Sequence, residues 1–450
     1  MSLRLPRVAI ISREYPPFFG GGIGTYVRYI VPALAQAGVR VHVVTQAHDQ
    51  LRPRVEMDGL ITVHRVPMGL GKGGWTNAAL RFSMSAGRIV SALHRSGQID
   101  VAEYAECEGA ALMPLLFQRH HLPTIVQLHT PSEQLFVLRS LSSPDLNTSL
   151  KVYFETERMA MRLADDILAP SQFIASWAHD HYQLAHMPRV IPYATGPLPP
   201  PPAPAPDTTP PIVFYAGRIE PRKGVESLIL GFNRVAREHP TVQLRIAGAD
   251  TSGAPGGGSM RAYLQTLIEP HASCRVHFLG RLNHGAMRDE FAHSLICIIP
   301  SLWENFPNTC IESMSNARAV LVSDQGGMNE MVGQTDAGCS FTAGNPDDLA
   351  RVLLKMLEES RTRLVERGRI ARDRIQQLCD PERVAALRIE HYLHTIHNSI
   401  HRSVPCDRQA MLASWSHLES ICSGQDLDVG LPDVSEGVRR WVDRAEVPTC

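Results

Sequence analysis

The sequence predicts an α/β protein built from two doubly wound, Rossmann-like halves, and three observations carry that expectation. Short apolar, β-forming runs alternate with stretches of helical periodicity from Arg7 to about Ile400, the pattern of parallel strands joined by crossover helices. A proline-rich stretch, GPLPPPPAPAPDTTPP from Gly196 to Pro211, divides that alternation in two, because so many fixed φ angles and missing N–H groups allow only an extended connector. The segment from Leu295 to Gly327, LICIIPSLWENFPNTCIESMSNARAVLVSDQGG, reads by itself as strand, loop, helix and strand. In a parallel sheet such a unit puts its loop at the carboxyl edge of the strands, where open α/β sheets bind ligands.

In the first half, Arg7–Ser12 is an apolar strand that runs through Pro16 and Pro17 into FFGGGIGTYVRYIVPALAQAG. Val27, Ile30, Val31 and Leu34 recur at helical spacing, Gly38 ends the helix, and Pro32 inside it is expected to kink it or leave one carbonyl without its bond. Strands follow at Val39–Thr45, Leu60–Val66, Ile99–Tyr104, Thr124–His129 and Asp166–Pro170, with helices at Asn77–His94 and Gly109–Gln118. Ser171 is placed to cap the next helix, and Val190–Tyr193 closes this half. The glycines at 20, 21, 22 and 24 miss the G-x-G-x-x-G spacing and stand behind a proline loop, so they are no dinucleotide fingerprint. They fit either close backbone approach to a ligand at a helix N-terminus or a flexible turn.

The second half holds strands at Ile212–Gly217, Val242–Gly248, Val276–Gly280, Leu295–Pro300 and Ala319–Ser323. Its TSGAPGGGSM insertion lacks the GK[ST] ending of a P-loop. Helices are expected over Asp347–Glu359 and Thr362–Leu378, then from an Asp380 cap with Pro381 in the first turn. Ile389, Leu393, Ile396 and Ile400 give this last helix its apolar stripe. Beyond it lie a helical stretch at Met411–Cys422, Trp415, Trp441 and a polar Asp426-Leu427-Asp428 triplet that reads as solvated rather than metal-binding.

Composition narrows the function classes. A chain of 450 residues with net charge −1, 44% hydrophobic and 20% charged residues is globular, of two or three domains, with no basic excess for nucleic acid. The nine cysteines show no CxxC or metal-ligand spacing, which fits a reducing cytoplasm and excludes a zinc motif. No run approaches the roughly 20 apolar residues that cross a bilayer. Peripheral membrane contact stays open, although no basic or apolar patch argues for it.

The candidate chemistry concentrates in two places of the second half. In the first, Glu304 and Glu312 flank Asn305, Phe306, Pro307, Asn308 and Thr309, where a helix begins. The unpaired first-turn amides carry partial positive charge and suit a diphosphate, with Glu312 and Glu304 as acceptors for ligand hydroxyls. Thr309 to Glu312 equally fits a capping box in which the glutamate only satisfies backbone donors, and Glu304 fits a solvated loop acid; both alternatives stand on these residues alone. In the second, GRIEPRKGVESLILGF puts Arg218 and Lys223 across a strand-to-helix turn, where side-chain cations and helix dipole add up to an anion site. On the first half, His129 ends a strand, and its ordinary pKa near neutrality suits contact with an anion or a hydroxyl.

Taken in order, GGGIGTYV, LHTPS, LAPSQF, AGRIEPRKG, FLGRL, SLWENFPNTCIES and SDQGGMNEMV resemble the retaining glycosyltransferases of the GT-B fold, family four, over about Arg7 to Ile400. The resemblance implies two Rossmann-like domains facing across a cleft. Residues 1–195 would form the acceptor side, completed by a crossing helix at 381–400; 196–211 would be the linker, 212–380 the nucleotide-sugar domain, and 401–450 an extension of no readable role. It further implies a UDP- or GDP-sugar donor, an acceptor hydroxyl on a sugar, lipid-linked glycan or small molecule, no cofactor and no metal. Arg218 and Lys223 would neutralise the departing diphosphate, Glu312 would hold the ribose, and Glu304 the sugar. Backbone amides near Phe306 to Asn308, within a donor-binding run from Asn305 to Thr309, would complete that site, Gly21 and Gly22 would approach the phosphate, and His129 would face the reactive carbon. Two departures stand out: VIPYATGP replaces the usual asparagine-glycine pair, and SMSNARAVL replaces the usual pattern after the second glutamate. The competing readings are a non-catalytic nucleotide-sugar or partner-binding protein, and an epimerase or phosphorylase on the same plan; no lysine context for a phosphorylase cofactor is present.

Overall fold

The structure, a computed structural model, describes residues 4–18, 20–47, 53–67, 75–117, 121–139, 148–198, 200 and 209–399. The expectations placed on Met411–Cys422, Trp415, Trp441, the Asp426–Asp428 triplet and most of the proline-rich stretch lie outside those residues. By their contacts the described residues fall into two compact units. The first comprises residues up to Leu168, His179–Pro188 and the chain from Ala386; the second comprises Ala169–Ala178 and Arg189–Ala385.

The first unit is organised on an eight-stranded sheet: β1 (Arg7–Ile11), β2 (Arg40–Ala47), β3 (Arg54–Asp58), β4 (Ile61–Pro67), β5 (Val101–Ala105), β6 (Thr124–Gln127), β7 (Asp166–Ala169) and β8 (Arg189–Val190). The spatial order is β3-β4-β2-β1-β5-β6-β7-β8. The strands from β4 to β7 pair parallel, and β3 pairs antiparallel on β4 at the edge. Val8, Ile10, Val41, Val43, Val101 and Ile125 are fully or almost fully buried, as strands covered on both faces require. Each such side chain stabilises the fold by about 1.5–3 kcal/mol. Sequence order turns back between β1 and β5, which makes that point the switch of a doubly wound sheet.

Its helices are α1 (Gly22–Gln36), α2 (Trp75–Arg95), α3 (Leu112–Phe117), α4 (Ser132–Arg139), α5 (Thr148–Leu163) and α6 (Gln172–Tyr182), the last contributing residues to both units. Helix α1 runs on through Pro32, losing the one bond that a proline nitrogen cannot donate. Strand β3 escaped the sequence reading because three of the five residues of RVEMD are charged and most are exposed, so no buried apolar face marks it.

The second unit carries β9 (Ile212–Ala216), β10 (Gln243–Ala247), β11 (Val276–Gly280), β12 (Ile296–Ile299), β13 (Ala319–Ser323) and β14 (Gly338–Phe341) in the order β11-β10-β9-β12-β13-β14, every pair parallel. Here the order reverses between β9 and β12. Helices α7 (Val225–Glu238), α8 (Met260–Thr266), α9 (His284–His293), α10 (Asn308–Ser315), α11 (Met328–Val332), α12 (Pro346–Leu357) and α13 (Arg361–Cys379) follow, and α14 (Pro381–Ser399) starts in this unit but belongs to the first from Ala386 on. Val213, Leu228, Phe232, Leu244, Ile246, Leu349 and Leu353 form one apolar core.

Helix α14 corrects one expectation. Asp380 caps it, its Oδ1 accepting the Arg383 N–H at 2.8 Å, but its buried face is Val384, Arg388, His391, Tyr392, Thr395 and Ser399, while Ile389, Leu393 and Ile396 are only half-buried and Ile400 lies outside the described residues. Pattern reading assumes that buried means apolar. Here a fully buried arginine finds a buried acid: Arg388 Nη1 donates to Glu103 Oε2 at 2.6 Å, Arg388 also bonds Gln127, and the Tyr392 and Tyr26 hydroxyls donate to Glu103 at 2.6 and 2.5 Å. A charge can be buried when paired and hydrogen-bonded in this way.

Candidate active site

In the second unit the turn after β9 and the loop after β12 meet at the switch point. Gly224 makes this possible. It sits at φ +65°, and a Cβ there would fall 1.8 Å from the Pro300 carbonyl oxygen, so only glycine lets the Pro221–Lys223 turn press on the end of β12. The Leu302 N–H then donates to the Arg222 carbonyl at 2.8 Å. This contact delivers the side chains of Arg222 and Lys223 to Glu304.

Glu304 is buried and bonded to Lys223 Nζ, with Arg222 Nη1 3.0 Å and Ser301 Oγ 3.3 Å from the same Oε1. Burial alone would raise its pKa; the Lys223 ammonium and then the Arg222 guanidinium outweigh it and hold the carboxyl below the usual range. Glu304 is therefore a structured, ionised acid rather than a solvated loop residue. Arg222 is also buried, reaches Glu220 at 3.2 Å and lies over the Trp303 ring at 5.4 Å. Arg218 lies in the same turn with most of its side chain exposed, 3.3 Å from Glu220. The backbone of Glu304 and Asn305 is locked from behind by Gly326 and Gly327, whose added Cβ atoms would fall about 2 Å from the carbonyl oxygens of those two residues.

Asn305 and Phe306 are buried, with the Phe306 ring edge-on to Tyr193 at 5.5 Å. Helix α10 begins at Asn308 with Pro307 as N-cap and no side-chain cap. Thr309 is thus inside the helix, and the capping-box alternative for Glu312 does not form. Glu312 stays open to solvent at its own surface, yet surrounding protein displaces enough bulk water to push its carboxyl up to about 7. On α11, Glu330 accepts the N–H groups of Gln172 and Phe173 at 2.7 and 2.8 Å, capping the helix that Ser171 introduces.

In the first unit, the backbone N–H groups of Gly20, Gly21 and Gly24 donate to Glu14 Oε2 at 3.4, 3.1 and 3.2 Å, while Gly22 opens α1. The partial positive charge at that helix end is met by the chain's own carboxylate. His129 is 6% exposed, with its ring 4.9 Å edge-on from Tyr26. Its expected near-neutral pKa is corrected: burial, and then the Arg388 charge, depress it to about 3. His129 is a neutral imidazole at any physiological pH and offers hydrogen bonds, not charge. Beneath its loop, Glu106 Oε1 accepts the Thr130 N–H at 2.5 Å. Glu157 accepts the Ser132 N–H and Oγ–H at 2.7 Å each and the Glu108 N–H at 2.9 Å. Burial pushes Glu106 up to about 7, and burial together with the Glu106 charge pushes Glu157 up to about 8.

Sequence reading had named Glu304 and Lys223 but missed Arg222, Glu220, Glu14, Glu106 and Glu157. Arg222 stands between the two cations already singled out, and its adjacency to Lys223 was the available signal. The buried glutamates give none, because nothing in a sequence distinguishes them from surface acids.

Two doubly wound α/β units, with Lys223 and Arg222 brought onto Glu304 in the second, have the architecture of the GT-B fold. The family described as Glycosyltransferase Family 4 matches residues 20–194, and Glycosyl transferases group 1 matches residues 201–371. The chain belongs to these group 1 glycosyltransferases. Among its relatives is a glycogen synthase of Mycobacterium tuberculosis, 25% identical over 410 residues that cover 86% of this chain and 94% of the relative. Sucrose-phosphate synthase from Thermosynechococcus elongatus shares the fold at a TM-score of 0.71 and 22% identity, covering 88% of this chain and all of that one. HepE of Anabaena, solved with UDP and glucose, shares it at a TM-score of 0.57 and 17% identity over 86% of this chain and 99% of that one. Among the described residues no helix is long and apolar enough to cross a membrane.

Proposed function

We propose that this glycosyltransferase moves a sugar from a UDP- or GDP-linked donor to an acceptor hydroxyl in glycan or glycoconjugate synthesis, with retention at the anomeric carbon and without a metal ion. The observation that carries the reading is the Lys223–Glu304–Arg222 cluster at the switch point of the second sheet, which leads along the chain into the uncapped N-terminus of α10. As the bond from the anomeric carbon to the donor phosphate breaks, negative charge grows on the diphosphate. Lys223, Arg218 and the amides of Asn308 and Thr309 stabilise that charge. Glu304, kept ionised, accepts hydrogen bonds from sugar hydroxyls, and Glu312 accepts them from the ribose. Gly21, Gly22 and His129 are assigned to the same donor on the strength of the family resemblance. No carboxylate among these residues is assigned as a nucleophile, so the departing phosphate oxygen takes the proton of the acceptor hydroxyl as the new glycosidic bond forms on the same face. The UDP bound to HepE and the glycogen named for the mycobacterial relative support a nucleotide-sugar chemistry.

Donor hydrolysis by wild type and by Glu304→Ala, with uridine, guanosine and adenosine diphosphates in a thermal-shift panel, tests the reading. Turnover lost in the variant supports it. No turnover of any donor by wild type would favour a non-catalytic binding protein. Product of inverted configuration, or a trapped covalent glycosyl-enzyme, would overturn the front-face mechanism.

A further inference from the structure

We infer that Arg13, Gln46 and Glu108, at the switch point of the first sheet, recognise the acceptor, and that the acceptor is a neutral polyhydroxy compound rather than a phosphorylated one. The inference rests on the transferase reading and names the substrate class of the same reaction.

The order of the first sheet reverses between β1 and β5, and crevices at such points, on the carboxyl edge, are where doubly wound sheets take ligands. Arg13 follows β1, Gln46 lies near the end of β2, and Glu108 follows β5, so the parallel register puts all three at that edge. They meet there. Arg13 Nη1 pairs with Glu108 across the reversal, and Arg13 Nε donates to Gln46 Oε1 at 3.1 Å. The Arg13 and Glu108 side chains keep 23% and 14% of their surface open, enough for a ligand to reach them.

The backbone beneath Glu108 argues that this aim is built in. Glu108 has φ +61° and Gly109 φ +62°, a left-handed pair in which a glutamate is strained. Gly109 cannot be replaced without its Cβ meeting the Thr156 backbone at 2.8 Å, and the fully buried Glu157 holds the Glu108 N–H. Strain of this kind persists only where the surroundings over-determine it. What it achieves here is to carry the Glu108 carboxylate over the switch point to Arg13. Glu157 is then a positioning residue, tying this turn and the His129–Ser132 loop to one helix.

Charge selects the acceptor class. Among the described residues the cluster holds one guanidinium, one carboxylate and one amide. A phosphate group calls for surplus cations. A saccharide or polyol calls for donors and acceptors side by side, which this set supplies.

The test is steady-state kinetics with whichever of UDP-glucose and GDP-mannose is hydrolysed, against glucose, maltose and glucose 6-phosphate as acceptors. The neutral sugars are expected to exceed the phosphorylated one in kcat/KM by about tenfold or more, and Glu108→Gln and Arg13→Gln to raise acceptor KM by about tenfold or more, well beyond any change in donor KM. Gln46→Ala gives a smaller rise and serves if either charged-site variant fails to fold. A preference for glucose 6-phosphate, or acceptor KM unchanged in the folded variants, overturns the assignment while donor hydrolysis leaves the transferase reading standing. Absence of hydrolysis with every donor overturns both.

Discussion

Replacing Arg388 by methionine would test whether the buried ion pair in the first unit holds that unit together. Arg388 is fully buried, and it gives Glu103 a charge-assisted bond at 2.6 Å and Gln127 a second bond. Methionine fills most of the volume but supplies neither. Hydrogen bonds to charged groups contribute about 1.5–3 kcal/mol each, and removing one partner of a buried pair strands the other, for a loss of about 3–5 kcal/mol. The Tyr26 and Tyr392 hydroxyls still reach Glu103, so the lower part of that range is expected. Urea denaturation followed by circular dichroism reads the loss as a lower midpoint of the first unit's transition. Pairing Arg388→Met with Glu103→Gln removes the stranded charge, and this double variant is expected to be more stable than Arg388→Met alone. Activity should fall in the single variant too, because the guanidinium lies 4.9 Å over the Tyr26 ring, which in turn meets His129 edge-on. A loss under about 1 kcal/mol, or a double variant less stable than the single, would refute the reasoning.

Gly224→Ala should destabilise the second unit by at least about 2 kcal/mol and weaken nucleotide binding, since the new Cβ collides with the Pro300 carbonyl; thermal shift with and without UDP reads both. Lys223→Met should lower donor kcat/KM by on the order of 100-fold and raise the Glu304 pKa, which carboxyl-labelled NMR would follow. Folded, Glu106 and Glu157 titrate near 7 and 8, above their unfolded values. The folded chain therefore holds protons that the unfolded chain has released, and stability falls as pH rises from about 4.5 through 8; Glu157→Gln should flatten that slope in urea titrations. Glu330→Ala removes two bonds to the first turn of α6 and should cost about 1–2 kcal/mol, seen as faster amide exchange at Gln172 and Phe173.

Much of the fold was legible because parallel strands buried on both faces write themselves as apolar runs. Val8–Ile11, Ile296–Ile299 and Ala319–Val322 are such runs, and all three are strands. The site was partly legible for a different reason: strand-to-helix turns carry ligands, so Lys223 and Glu304 could be singled out by place and charge. Helix α14 shows where this stops. Its buried face is centred on Arg388, whose partner Glu103 lies far away in the sequence, and a periodicity argument sees only one helix at a time. His129 shows it again, since its displaced pKa comes from enclosure and from the charge of that same arginine.

The sequence alone determined the alternation of strands and helices, the break at the proline-rich stretch and the family motifs, because each is encoded within a few consecutive residues by hydrophobic period, backbone stiffness or turn chemistry. Only the tertiary structure decided that Glu304 is shared by Lys223 and Arg222, that Glu14 occupies the glycine-loop amides, and that Arg13 meets Glu108 across the first sheet's reversal. Those are pairings between distant segments, and the free energy of a charge depends on which partners and how much water surround it, a property that exists only once the chain has folded.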